Sequence, residues 1–139
     1  MKKIYDRISA GGLVYKKTNN TIYFVLCYKK KTNRWHLPKG TQELNESIYN
    51  TAIREVEEET GLEVKMKTFL SDIFYKFTDT QNNTLNKKVT FYIMEAIGGC
   101  FEKHDKEFDK IIWVDSNKAI KLLNYTNEKE LVTKATLLV

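Results

Sequence analysis

Proline occurs once, at Pro38, and cysteine twice, at Cys27 and Cys100. The two cysteines lie far apart and neither belongs to a Cys/His cluster, so neither a disulfide framework nor a thiolate metal site is expected, and both read as reduced packing residues. No apolar run approaches the length of a membrane span, which argues against a spanning helix. Met1-Lys-Lys-Ile starts like a signal peptide, but Asp6 and Arg7 interrupt any apolar segment, so a cytoplasmic protein without a membrane partner is expected. No internal repeat, low-complexity linker or break in composition divides the chain, and 139 residues suit one domain over 1–139.

What is present is a core-forming supply of 42 % apolar residues, with seven Phe, eight Tyr and two Trp. The net charge of +5 favours polyanionic ligands but falls short of a dedicated nucleic-acid binder, so no stable nucleic-acid complex is expected. Lys29, Lys30, Lys31 and Arg34 form one basic cluster and Lys87 with Lys88 another; each reads either as a phosphate contact or as a solvated turn.

Periodicity predicts strands at Arg7–Tyr15 and Thr21–Tyr28, joined as a hairpin, with Gly11-Gly12 permitting close approach of another backbone or a ligand. A helix is expected from about Glu46 to Thr60, N-capped by Asn45 and ended by Gly61. Ile48, Tyr49, Ala52, Ile53 and Val56 form its apolar stripe. Strands over Leu62–Phe77 and Lys88–Ala96 should make a long antiparallel hairpin. A strand over Lys110–Val114 follows, then helices from Asp115 or Ser116 to Leu123 and from Thr126 or Asn127 to Leu137. This order gives a mixed sheet with helices on both faces.

The densest chemistry lies in Gly40-Thr-Gln-Glu-Leu-Asn-Glu46 and, after seven intervening residues, Arg54-Glu-Val-Glu-Glu-Glu-Thr-Gly-Leu62. On a helix, Glu55, Glu58 and Glu59 fall within roughly 100° of one another. Like charges at this spacing repel by a few tenths of a kcal/mol per pair, and a hard divalent cation offsets the repulsion. A charged helix face can also be merely solvated. Here, however, the polar, glycine and apolar positions stand in fixed register around a loop-to-helix junction.

Residues 40–62 resemble the Nudix box at every defined position, and Trp35-His-Leu-Pro-Lys-Gly40 is similar to that family's lead-in. The resemblance implies an α/β/α sandwich and a loop-helix-loop catalytic motif. It implies a hydrolase that cleaves a nucleoside diphosphate linked to a group X. It assigns Mg²⁺, or Mn²⁺ as a substitute, to Glu58 and Glu59, with Glu55 either completing the set or acting as base. The Lys39 carbonyl would give another oxygen, and Arg54 would orient a carboxylate. On the loop before the last strand, Glu107 is the candidate for an extra ligand or general base, with Asp105 and Asp109 as rivals.

Within that family the chain is most similar to the asymmetric diadenosine tetraphosphate hydrolases, which implies ATP and AMP as products. Lys39 and Lys88 would then face the phosphate chain, and aromatics among Tyr75, Phe77 and Phe91 would stack on adenine. Those hydrolases tend to carry tyrosine where this chain has Phe77 and Phe91. Alternatives are pyrophosphohydrolysis of normal or oxidised nucleoside triphosphates, RNA 5′-pyrophosphohydrolysis and, from another class, a non-catalytic nucleotide-binding module. The expected partner is a nucleotide or dinucleoside polyphosphate, and the expected state a monomer or weak dimer.

Overall fold

A computed structural model describes residues 5–139; the signal-peptide reading of Met1–Ile4 lies outside them. Seven strands form one mixed sheet: β1 (Arg7–Thr18), β2 (Thr21–Lys29), β3 (Arg34–His36), β4 (Lys39–Thr41), β5 (Leu62–Thr78), β6 (Thr84–Gly99) and β7 (Lys110–Asp115). The helices are α1 (Ile48–Thr60), α2 (Ser116–Leu122) and α3 (Thr126–Leu138). The sheet runs β3-β2-β1-β6-β5, with β4 added to β1 and β7 to β2. β1 and β6 are parallel, and β5 and β6 form the expected antiparallel hairpin.

Strand alternation divides the core into two layers. Leu13, Phe24, Leu26, Val89, Phe91 and Ile93 point to the side covered by Ala119, Leu123, Leu131, Val132 and Ala135 of the α2–α3 region. Ala10, Val14, Val25, Cys27 and Met94 point to the opposite side, where Ala52 and Val56 of α1 meet them. Helices therefore cover both sheet faces, the α/β/α arrangement expected from the order of elements.

One helix boundary differs from expectation. α1 starts at Ile48, and its cap is Ser47, whose hydroxyl accepts from the Asn50 N–H at 3.0 Å. Asn45 instead adopts a left-handed φ of 65°, so it closes the preceding turn and cannot hold the extended conformation of an N-cap. Gly61 ends the helix in the left-handed region at φ 78°, its N–H returning to the Glu57 carbonyl. The close approach expected at Gly11-Gly12 is made by the chain itself: the Gly12 N–H donates to the Pro38 carbonyl at 3.1 Å.

Candidate active site

Three segments meet at the N-terminal half of β1. The link between β3 and β4 lies against it, its Pro38 carbonyl accepting from the Gly12 N–H, β4 pairs Lys39 with Gly11, and α1 packs on the same strand. The join is polar. The Lys39 N–H donates to Glu59 Oε1 at 2.9 Å, so the buried carboxylate of the helix is tied to the strand that follows Pro38. At Gly40 next door, a side chain would fall on the Glu55 carboxylate and displace it.

The three box glutamates differ sharply in environment. Glu58 is half-exposed, Glu55 largely covered, and Glu59 only 2 % exposed. Burial, followed by the charge of Glu55, pushes the Glu59 carboxyl up to about 9. Burial also raises Glu55, against the pull of Arg54. Arg54 is the organiser. Its Nε donates to Glu46 Oε2 at 2.7 Å, its Nη1 to Glu55 Oε1 at 2.8 Å and Glu58 Oε2 at 3.3 Å, and its Nη2 to the Thr41 carbonyl at 3.1 Å. These bonds, with the Thr51 hydroxyl, hold the Glu46 carboxyl down to about 2, and they raise Arg54. Glu46 therefore serves the guanidinium, and it lies ahead of the helix.

Among the described residues no three or more Asp, Glu, His or Cys side chains stand close enough together to hold a metal ion among themselves. The donor set nevertheless fits Mg²⁺, which takes one or two carboxylates and completes its shell with water and substrate phosphates. Glu59 is buried beside Glu55 with one backbone N–H on one of its oxygens, and a hard cation would relieve that crowding.

The loop candidates separate in space. Glu107 is exposed and pairs with Lys29 at 3.1 Å. Asp109 accepts from the Lys30 N–H at 2.7 Å and so braces the basic turn. The Asp105 N–H donates to the Glu58 carbonyl at 2.8 Å, and its charge raises both Glu55 and Glu59. Of the three, Asp105 lies electrostatically closest to the box.

On the other sheet face a cleft of about 420 Å³ is lined by Tyr75, Ile73, Tyr125, His36, Lys39 and Glu128, among others. Lys39 joins the two regions: its side chain lines the cleft while its N–H holds Glu59. Tyr125 comes from the α2–α3 junction, where its hydroxyl accepts from Arg34 Nη1 and the guanidinium lies over its ring. The Leu37 N–H donates to Glu128 Oε2 at 3.4 Å. Burial, more than any charge, drives the His36 imidazole down to about 4.

Three of the expected substrate contacts change. Phe91 is fully buried in the layer beneath α2 and α3 and offers no face to a base. Lys88 points to the α1 side, 3.9 Å from Asp72 Oδ2, because period-two alternation on β6 sends neighbouring residues to opposite faces. Lys87 takes the cleft side instead: it lies over the Tyr75 ring at 5.5 Å and contacts Lys39. Burial and then Lys39 bring Lys87 down to about 8. Phe77 lies beyond the cleft lining, beneath Arg7 at 5.1 Å, whereas Tyr75 is part of it. Tyr125 and Glu128 had no sequence signal; only packing of α3 beside Trp35–Lys39 brings them to the site.

Residues 6–135 match the NUDIX domain family model, and the chain belongs to the NUDIX family. It is 38 % identical over 101 residues to the mutator protein MutT4 of Mycobacterium tuberculosis, covering 73 % of this chain and 40 % of that protein. It is 25 % identical over 114 residues to an 8-oxo-(d)GTP phosphatase of Mycolicibacterium smegmatis, covering 82 % of this chain and 34 % of that protein. The chain thus spans well under half the length of these relatives. In fold it resembles the Ap4A hydrolase of C. elegans crystallised as a binary complex, with a TM-score of 0.77 at 20 % identity, covering 95 % of this chain and 96 % of that one.

Proposed function

We propose that this domain hydrolyses a phosphoric anhydride bond in a nucleoside polyphosphate, with Mg²⁺ held by Glu58, Glu59 and the Lys39 carbonyl and with Glu55 as the base. The observation that carries the reading is Lys39, whose side chain lines an aromatic cleft and whose backbone holds a buried box carboxylate. Bound there, Mg²⁺ would neutralise phosphate charge and raise the acidity of water.

The chain's own groups do the remaining work. Tyr75 and Tyr125 receive a base, since stacking on such rings contributes about 1–3 kcal/mol per base in single-strand binders. Lys39 and Lys87, two ammonium groups brought together, meet the phosphates, and an anion between them removes their repulsion. Arg54 occupies Glu55 Oε1, which leaves Oε2, beside Gly40, to accept the proton of the attacking water. That water's oxygen bonds to phosphorus as the bridging P–O bond breaks, and the leaving phosphate departs against the lysines. Glu107, held by Lys29, is the rival base.

Diadenosine tetraphosphate is the first substrate to test, because the cleft, two lysines and two tyrosines suit a long phosphate chain ending in a base. An oxidised nucleoside triphosphate is the second, supported by the names of the relatives. A Mg²⁺-dependent panel of both, with ADP-ribose and triphosphorylated RNA, read by product chromatography, decides. ATP plus AMP at the highest kcat/KM supports the first; a monophosphate plus pyrophosphate from the oxidised triphosphate supports the second. No turnover of any member with Mg²⁺ or Mn²⁺ would contradict the hydrolase reading.

A further inference from the structure

Glu128 is an expensive residue to bury. It is 4 % exposed, yet among the described residues its Oε1 has no hydrogen-bond partner, and the one bond to its carboxyl group comes from the Leu37 N–H on Oε2. An unsatisfied buried acceptor costs about 1–3 kcal/mol, more for a charged group. Nothing in the packing of α3 demands a carboxylate: Leu131, Val132 and Ala135 carry the helix's core contacts. The side chain forms part of the cleft wall, beside Tyr75 and Tyr125. A group that supplies an N–H donor at that wall would satisfy Oε1.

We infer that Glu128 is a specificity-determining residue that accepts a hydrogen bond from an exocyclic amine of the substrate's nucleobase. This rests on the nucleotide reading above and adds which bases the cleft takes. Its second oxygen ties the selection to the reaction centre. The three residues Leu37–Lys39 carry one N–H to Glu128 and another to Glu59, and the Pro38 carbonyl between them is pinned by the Gly12 N–H. A base that fixes Glu128 therefore also fixes the segment from which Lys39 reaches phosphate and Glu59 is positioned. Sites that hydrogen-bond a substrate donor reject analogues lacking it far better than apolar pockets reject a missing methylene, because the polar group is then left unpaired.

The test compares paired nucleotides differing by one amine: adenine against unsubstituted purine, and guanine against hypoxanthine. In the wild type, removing the amine from the preferred base should lower kcat/KM at least tenfold. In Glu128→Gln, which keeps an oxygen for the Leu37 N–H and adds a donor, that ratio should fall to within about twofold of one, with a melting temperature no lower than the wild type's. An unchanged ratio in Glu128→Gln, or an equal loss on every nucleotide, would overturn the inference and leave Glu128 a structural residue. Equilibrium Kd values for the matching nucleoside monophosphates without metal keep the two readings apart. No turnover with an intact Kd ratio would overturn the hydrolase reading alone, and turnover with equal Kd values would overturn the base reading alone.

Discussion

Replacing Glu59 by Gln should stabilise the metal-free protein while removing its activity. Glu59 has an ordinary value of 4.5 and sits at about 9 in the fold, chiefly through burial. Below pH 4.5 folded and unfolded chains both hold the proton, so the residue is neutral in its effect. As pH rises further the unfolded chain releases the proton and the folded chain keeps it. Stability then falls by up to about 1.4 kcal/mol per pH unit until about pH 9. At pH 7 the ceiling is about 3 kcal/mol. Gln still accepts from the Lys39 N–H and carries no charge, so a gain of about 1–3 kcal/mol is expected, which for a domain of this size is roughly 3–10 °C in Tm. The assay is thermal unfolding with EDTA at pH 5, 7 and 8.5, repeated with saturating Mg²⁺. The gain should grow with pH. Mg²⁺ should raise the wild-type Tm more than the variant's, because a ligand that binds only the folded state stabilises it. A lower Tm in the variant, a gain independent of pH, or an undiminished Mg²⁺ response would refute the reasoning.

Phe91→Ala should cost about 3–5 kcal/mol by denaturant unfolding, with KM for the nucleotide little changed, since the ring is core; a raised KM at full stability would put it back at the substrate. Lys87→Ala should raise KM at least tenfold and Lys88→Ala less than threefold; the reverse order in steady-state kinetics would mean that the alternation has been misassigned. His36 is held neutral down to about pH 4 in the fold, whereas the unfolded imidazole charges near 6.5. This site alone should therefore cost the wild type stability as pH falls from 6.5 to 4, by at most about 3 kcal/mol and against the gain from Glu59, so the stability of His36→Gln relative to the wild type should rise across that range in acid unfolding curves.

The box helix was readable because its signals are local: a 3.6-residue apolar stripe, a carboxylate face and a terminating glycine all lie between Ile48 and Gly61. Its start was misplaced because Asn45 and Ser47 both suit a cap, and only the left-handed turn at Asn45 decides between them. Spacing grouped Glu55, Glu58 and Glu59 on one face, but it could not show that β4 covers Glu59 and leaves Glu58 in water. Along the hairpin, the shifts in register at Met66/Thr68 and Phe69/Ser71 change which residues face each other. Pairing inferred by counting from the turn therefore fails beyond them. Tyr125 and Glu128 lie some ninety residues from Arg34 and Leu37, their partners. Such contacts exist only once α3 has packed on the sheet, and no local pattern announces them.

The most direct test of the metal-and-carboxylate account is turnover of the best nucleotide from the panel by wild type and Glu58→Gln, each with Mg²⁺ and with EDTA. Glu58 is half-exposed, so the substitution removes a charge without disturbing the core. The account predicts product only with metal, and at least a hundredfold lower kcat in the folded variant. Equal rates for the two proteins, or turnover that persists in EDTA, would contradict it.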